Sequence, residues 1–304
     1  MTNPPNPISE RMDDKIALHT AARRYCEDRF SEWTQTYADL QAKENFQTEN
    51  LFKPGWDYSQ EAYGIFPRYR FEKATKIEVE QLVPHSSKSL EELRSQLITA
   101  SDIAECRLHA ELKNGIARKA LREESEDYKT YIRILSEGDL LGIAPLPFRR
   151  VLTTEESKGL WNQLRMTWDI GEGYWFPLRE SPAPPNILAF HVEYFKAISG
   201  LVLLQDALSR RSISRVFELH EFCPDEPDYE IELSIFDPAY RWGGEQYCTA
   251  AGVDWVVYAS HESSITIGGD WLTEMFMEKW PACAQRTYLG PYSTNDLRGT
   301  WKSE

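Results

Sequence analysis

Residues 214–280 constrain the fold most. Within that span the apolar period shifts from two toward nearly four, and glycines punctuate the shifts. Residues 228–236 alternate: Tyr229, Ile231, Leu233 and Ile235 share one face of an extended chain, and Glu230, Glu232 and Ser234 share the other. Residues 214–222 set Val216, Leu219 and Phe222 among polar neighbours. Residues 253–259 are almost wholly apolar, as a strand is when both of its faces are covered. Residues 263–267 put Ile265 and Ile267 on one face. Gly268 and Gly269 then turn the chain, and Asp270 is placed to cap a helix carrying Leu272, Met275 and Phe276. The expectation is a sheet closed by a short helix, with 237–247 an exposed loop between strands.

The first half has a different period. Residues 1–8, proline-rich and without apolar repeat, read as a disordered tail. Apolar residues recur at helical spacing from Ile16 to Leu40. Residues 50–70 hold Pro54, Gly55, Gly64 and Pro67 among many rings and read as an ordered loop. Ser89 opens a helix with Glu92 three residues on, and a further helix is expected from Ser101 to Leu135, interrupted near Gly115. Beyond Thr154 a helix carries Leu160, Trp161, Leu164 and Trp168, and another follows Gly200. The fold class is therefore α+β: a helical N-terminal region, 9–143, followed by a mainly antiparallel sheet region with packed helices, 144–304. Whether the two share one core is left open by the pattern.

Charge narrows the partners. The 304 residues carry 48 acidic and 34 basic side chains, a net charge of −14. The excess is uneven: residues 1–150 sum to −3 and residues 151–304 to −11. A field of that sign repels phosphate backbones and favours basic proteins. No apolar run is long enough for a membrane helix, and no basic-then-apolar leader opens the chain. Five scattered cysteines without a CxxC read as reduced thiols, so a cytoplasmic protein is expected. No glycine-rich phosphate loop and no metal-ligand spacing occurs, so neither cofactor nor metal is expected.

Two kinds of chemistry remain. Trp175, Glu230, Glu232, Tyr240, Trp242 and Glu245 combine rings with carboxylates, a mixture that anchors a basic protein surface. The leading expectation is a non-enzymatic protein-binding module that neutralises or adapts a basic partner, with a homodimer through the long helices as a further option. This resembles in general character, without any shared motif, the soluble acidic α+β proteins that serve as toxin-neutralising immunity proteins and adaptors. The alternative is a hydrolase acting on a sugar or nucleotide. For that reading Glu245, His261 and Glu262 are the candidates, with His261 as general base and a carboxylate to orient it. The residues Ser260, His261 and Glu262 are adjacent in sequence, and adjacency is not the geometry of a catalytic triad.

Overall fold

The computed structural model describes residues 12–43, 58–171, 175–179, 185–223, 226–240 and 244–280. The chain divides into two compact units, Met1–Leu146 and Pro147–Glu304. No helix among the described residues is long and apolar enough to cross a membrane.

The first unit is helical: α1 (Asp14–Lys43), α2 (Gln60–Glu80), α3 (Leu90–Glu111), α4 (Gly115–Ile134) and the short α5 (Glu137–Leu140). Ser89 caps α3 by accepting from the Glu92 N–H, while the Glu92 carboxylate reaches back to the Lys88 N–H rather than to Ser89 itself. Asn114 caps α4 by accepting from Ile116 and Ala117. Alanines at 17, 21, 22, 100 and 104 let α1 and α3 approach their neighbours closely, and Leu18, Phe71, Leu93, Leu97, Leu121, Tyr128 and Ile132 fill the core. Between α1 and α2 the Arg23 guanidinium meets Glu80 at 3.1 Å, both almost fully buried. His19 contacts the Val79 carbonyl through Nε2, and burial pulls its pKa down to about 4.

Two expectations for this unit are corrected. Residues from Gln60 onward are helix, not loop, and Pro67 lies inside α2. Proline there removes an amide and crowds the preceding turn. In the same turn the Arg68 Nε donates to the Gly64 carbonyl at 3.0 Å. The expected helix start at Ser101 is also absent, because Ser101 is buried in the middle of a continuous α3 and its hydroxyl donates back to the Ile98 carbonyl.

The second unit contains β1 (Arg149–Val151), α6 (Thr154–Trp168), β2 (Ile187–His191), α7 (Val192–Ala197), α8 (Gly200–Arg210), β3 (Arg215–Glu221), β4 (Tyr229–Glu232), β5 (Glu245–Thr249), β6 (Val256–Ser260), β7 (Ser264–Gly268) and α9 (Asp270–Lys279). The strands form one seven-stranded sheet in the order β1-β4-β3-β5-β6-β7-β2, and every neighbouring pair is antiparallel. The α+β class expected from the sequence is the class found.

Both faces of the sheet are covered. On one, α6 lays Trp161 edge-on against Tyr247 with centroids 5.3 Å apart, and Leu160, Leu164 and Trp168 pack beside Leu219, Val256 and Tyr258. Gly268 is required here, because a Cβ at that position would sit 2.8 Å from the Trp168 ring. On the other, Phe190 of β2 meets Phe276 of α9 with ring centroids 6.1 Å apart. Asp228 ties α6 to the sheet, accepting from the Ser157 hydroxyl, the Trp161 indole N–H and the His220 amide.

The largest correction is β5. Residues 245–247, expected in an exposed loop, begin a wholly buried strand between β3 and β6. By contrast β4 ends early, since Leu233–Ile235 form a single 3₁₀ turn. Leu164 is fully buried whereas Met166, two residues on, is 86% exposed. Leu164→Ala is therefore expected to destabilise the second unit by about 2–5 kcal/mol in urea unfolding, and Met166→Ala by less than about 0.5 kcal/mol.

Candidate functional site

The register of the sheet gathers polar side chains that are far apart in sequence. Glu221 at the end of β3 pairs with Glu245 at the start of β5. Gln246 pairs with Ala259, so the same register sets Glu245 opposite Ser260, and Ser260 in turn pairs with Ser264 and Ser264 with His191. One end of the sheet thus carries the row Glu221, Glu245, Ser260, Ser264, His191. Two residues inward, on the same face, the rung holds Leu219, Tyr247, Tyr258 and Thr266.

The close approach of the two glutamate-bearing strands depends on Gly244, where a Cβ would lie 2.3 Å from the Glu221 carbonyl oxygen. Glu221 and Glu245 are both buried. The Tyr247 hydroxyl donates to Glu221 Oε2 at 3.2 Å, and an Arg165 nitrogen stands 4.0 Å from Glu221 Oε1. Burial pushes the Glu221 carboxyl above its usual range; Tyr247 and Arg165 oppose that rise and Glu245 adds to it. Burial, followed by the nearby carboxylate Glu221, likewise holds Tyr247 in its neutral phenol form. Tyr247 and Tyr258 stack with centroids 4.5 Å apart, and Trp175 meets Tyr258 edge-on at 6.1 Å.

Glu245 is held by the turn between β6 and β7. Its two oxygens accept from the His261 backbone N–H at 3.3 Å each, and Oε1 also contacts His261 Nδ1. The His261 side chain is 40% exposed against 3% for Glu245. A buried carboxylate at Nδ1 fixes the ring's orientation and favours the tautomer in which Nδ1 carries the proton. Two exposed rings flank this end of the sheet. Tyr240 lies 6.2 Å from the His261 ring and is 45% exposed, and Phe222, directly after Glu221, is 59% exposed. Phe222 holds φ at +63°, a region that bulky side chains rarely adopt and that costs on the order of 1–3 kcal/mol.

The residues singled out from sequence fare differently. Glu245, His261 and Tyr240 come together. Glu262 follows in the same turn, where its amide donates to Ser260 Oγ. Trp175 is buried against Trp168 and Tyr258, so it is a core residue and offers no outward face. Glu230 and Glu232 lie on β4, toward the opposite edge of the sheet. There Glu230 pairs with Arg150 at 2.8 Å and Arg215 at 3.3 Å, and Glu232 accepts from the Phe148 amide and the Ser234 hydroxyl. Trp242 lies outside the described residues. His220 is mostly buried and its pKa is lowered chiefly by that burial. Glu221 stood out from sequence only as a polar residue beside His220, Tyr247 and Phe222 did not stand out as site residues, and only the strand register joins the three to Glu245.

Among the described residues no group of three or more His, Cys, Asp or Glu side chains could hold a metal ion. Cys26, Cys106, Cys223 and Cys248 form no disulfide. No protein family, characterised protein or solved structure matches the chain. Glu245→Gln is expected to bring the Glu221 pKa part of the way down toward the ordinary carboxylate value, because it removes a neighbouring charge and leaves burial in place. Carbon-13 NMR titration of the glutamate side chains measures this, and an unmoved Glu221 would contradict the proximity.

Proposed function

We propose that the chain is an intracellular binding module that takes a cationic side chain of a basic partner protein at the Phe222–Tyr240–His261 end of its sheet. The observation that carries this reading is the pairing of two carboxylates, Glu221 and Glu245, across adjacent strands beside two exposed aromatic rings. A cation placed at this rim gains from the ring faces, at about 0.5–2 kcal/mol per cation–π contact, with the acidic pair beneath them. The net charge of residues 151–304 adds long-range attraction for basic surfaces. Relative to the sequence expectation, the docking face moves from the β4 glutamates to the opposite side of β3, where the rings of Phe222 and Tyr240 are exposed. On this reading the protein neutralises or adapts its partner and breaks no bond.

A second reading is favoured by the His261–Glu245 contact. An imidazole oriented through Nδ1 by a buried carboxylate is the arrangement of a general base, which suits a hydrolase acting on a sugar or nucleotide. Its substrate would meet the same aromatic rim.

Capture from native lysate on the immobilised full chain separates the two. The binding reading expects a basic protein that is retained at low salt, released at high salt, and lost with the Phe222→Ala/Tyr240→Ala double variant. A partner held equally well by that variant, or none at all, contradicts it. Turnover of nitrophenyl glycosides or nucleotides that His261→Gln abolishes would establish the second reading instead.

A further inference from the structure

The helical unit contains a carboxyl group with no conventional donor. Glu72 of α2 is fully buried, and neither of its oxygens has a hydrogen-bond partner when the group is taken as a carboxylate. Its polar contacts are a second carboxyl group, Glu124 of α4, and the Cys26 thiol of α1. Around it stand Tyr25 and Arg29 from α1 and Tyr128 from α4. On α3, Asp102 and Glu105 are engaged by Lys129.

The nearest cations are already committed. Arg29 grips Glu124 through Nε at 2.8 Å and Nη2 at 2.9 Å, and its Nη1 serves Glu32. Arg68 donates to Glu124, Glu123 and the Gly64 carbonyl through its three nitrogens. Both guanidiniums also lie 4.9 Å from the Trp33 ring centroid, which fixes them in place. An ionised Glu72 would therefore face another carboxylate with no counter-charge of its own, an arrangement that buried sites avoid by holding a proton.

We infer that Glu72 is a neutral carboxylic acid donating its proton to Glu124, and that this shared proton makes the helical unit lose stability as pH rises. The titration tendencies agree. Burial and the adjacent Glu124 drive the Glu72 carboxyl well above its usual value. Burial also opposes ionisation of Glu124, but its hydrogen bonds, that from Arg29 foremost, outweigh it and keep Glu124 ionised. The sign follows from proton counting. Above the ordinary glutamate value of about 4.5 the unfolded chain has released this proton and the folded unit retains it. The folding constant then falls up to tenfold per pH unit until Glu72 itself ionises in the folded state.

Full-length protein and Glu72→Gln, whose amide donates to Glu124 without titrating, are compared by urea unfolding at several pH values above 5. Amide exchange in peptides from α2 reports the helical unit specifically. The wild-type folding constant is expected to fall more steeply with pH, with a difference of up to tenfold per unit. The wild type should also show the infrared carbonyl stretch of a protonated carboxylic acid at neutral pH, and that band should vanish in the variant. Equal pH slopes, or the absence of the band in wild type, overturn the inference. Should Glu72→Gln fail to fold, the band is read in Glu221→Gln, which removes the other buried raised carboxyl: its persistence supports the inference and its loss overturns it.

Discussion

The end of the sheet depends on how the buried carboxyl group of Glu245 is held. The His261 backbone amide and imidazole bind it from the β6–β7 connection, across β6 from the strand that carries it. That contact fixes the end of the sheet, since it pins the hairpin turn to the start of β5 while Gly244 lets β5 press against the end of β3. Glu221, Tyr247 and Tyr258 then have no choice of neighbours. The polar row follows from the strand register.

The helical unit meets the same requirement in two other ways. Arg23 and Glu80 pair directly between α1 and α2. Glu124 instead takes two arginines stacked on Trp33, which leaves Glu72 to remain neutral. Buried ion pairs of this kind are costly to break by removing one partner, at roughly 3–5 kcal/mol, and contribute far less when compared with an apolar replacement. Their consequence is geometric: they join α1, α2 and α4 at defined faces.

Much of this was legible in the sequence, and the failures have physical causes. The helical first half, the α+β class, the β6 and β7 strands, the Ser89 cap and the closing helix announce themselves through apolar period and capping chemistry, although Asp270, expected to cap α9, is its first helical residue and Gly269 takes the cap position without a side-chain bond. β5 did not. EQYCT is short, begins with a glutamate and follows two glycines, so local pattern assigns it to a loop. Only pairing with β3 and β6 makes it a strand, and pairing is not a local property. The same blindness hid the pairing of Glu221 with Glu245, which only cross-strand register supplies. α2 was missed because Pro67 and Gly64 are breakers in isolation, whereas Arg68 and the packed rings outweigh them in the folded unit. Trp175 looked like an anchor because composition cannot distinguish a buried ring from a displayed one.

On the proposed reading, the Phe222–Tyr240–His261 end of the sheet receives a cationic side chain. The most direct measurement is nitrogen-15 NMR of the full chain titrated with an arginine-rich peptide, with a glutamate-rich peptide of equal length as control. The account predicts salt-sensitive shifts concentrated at Phe222, Tyr240, Gly244 and His261 with the first peptide and none with the second. Shifts scattered over the acidic surface, or clustered at Glu230 and Glu232 instead, would contradict it.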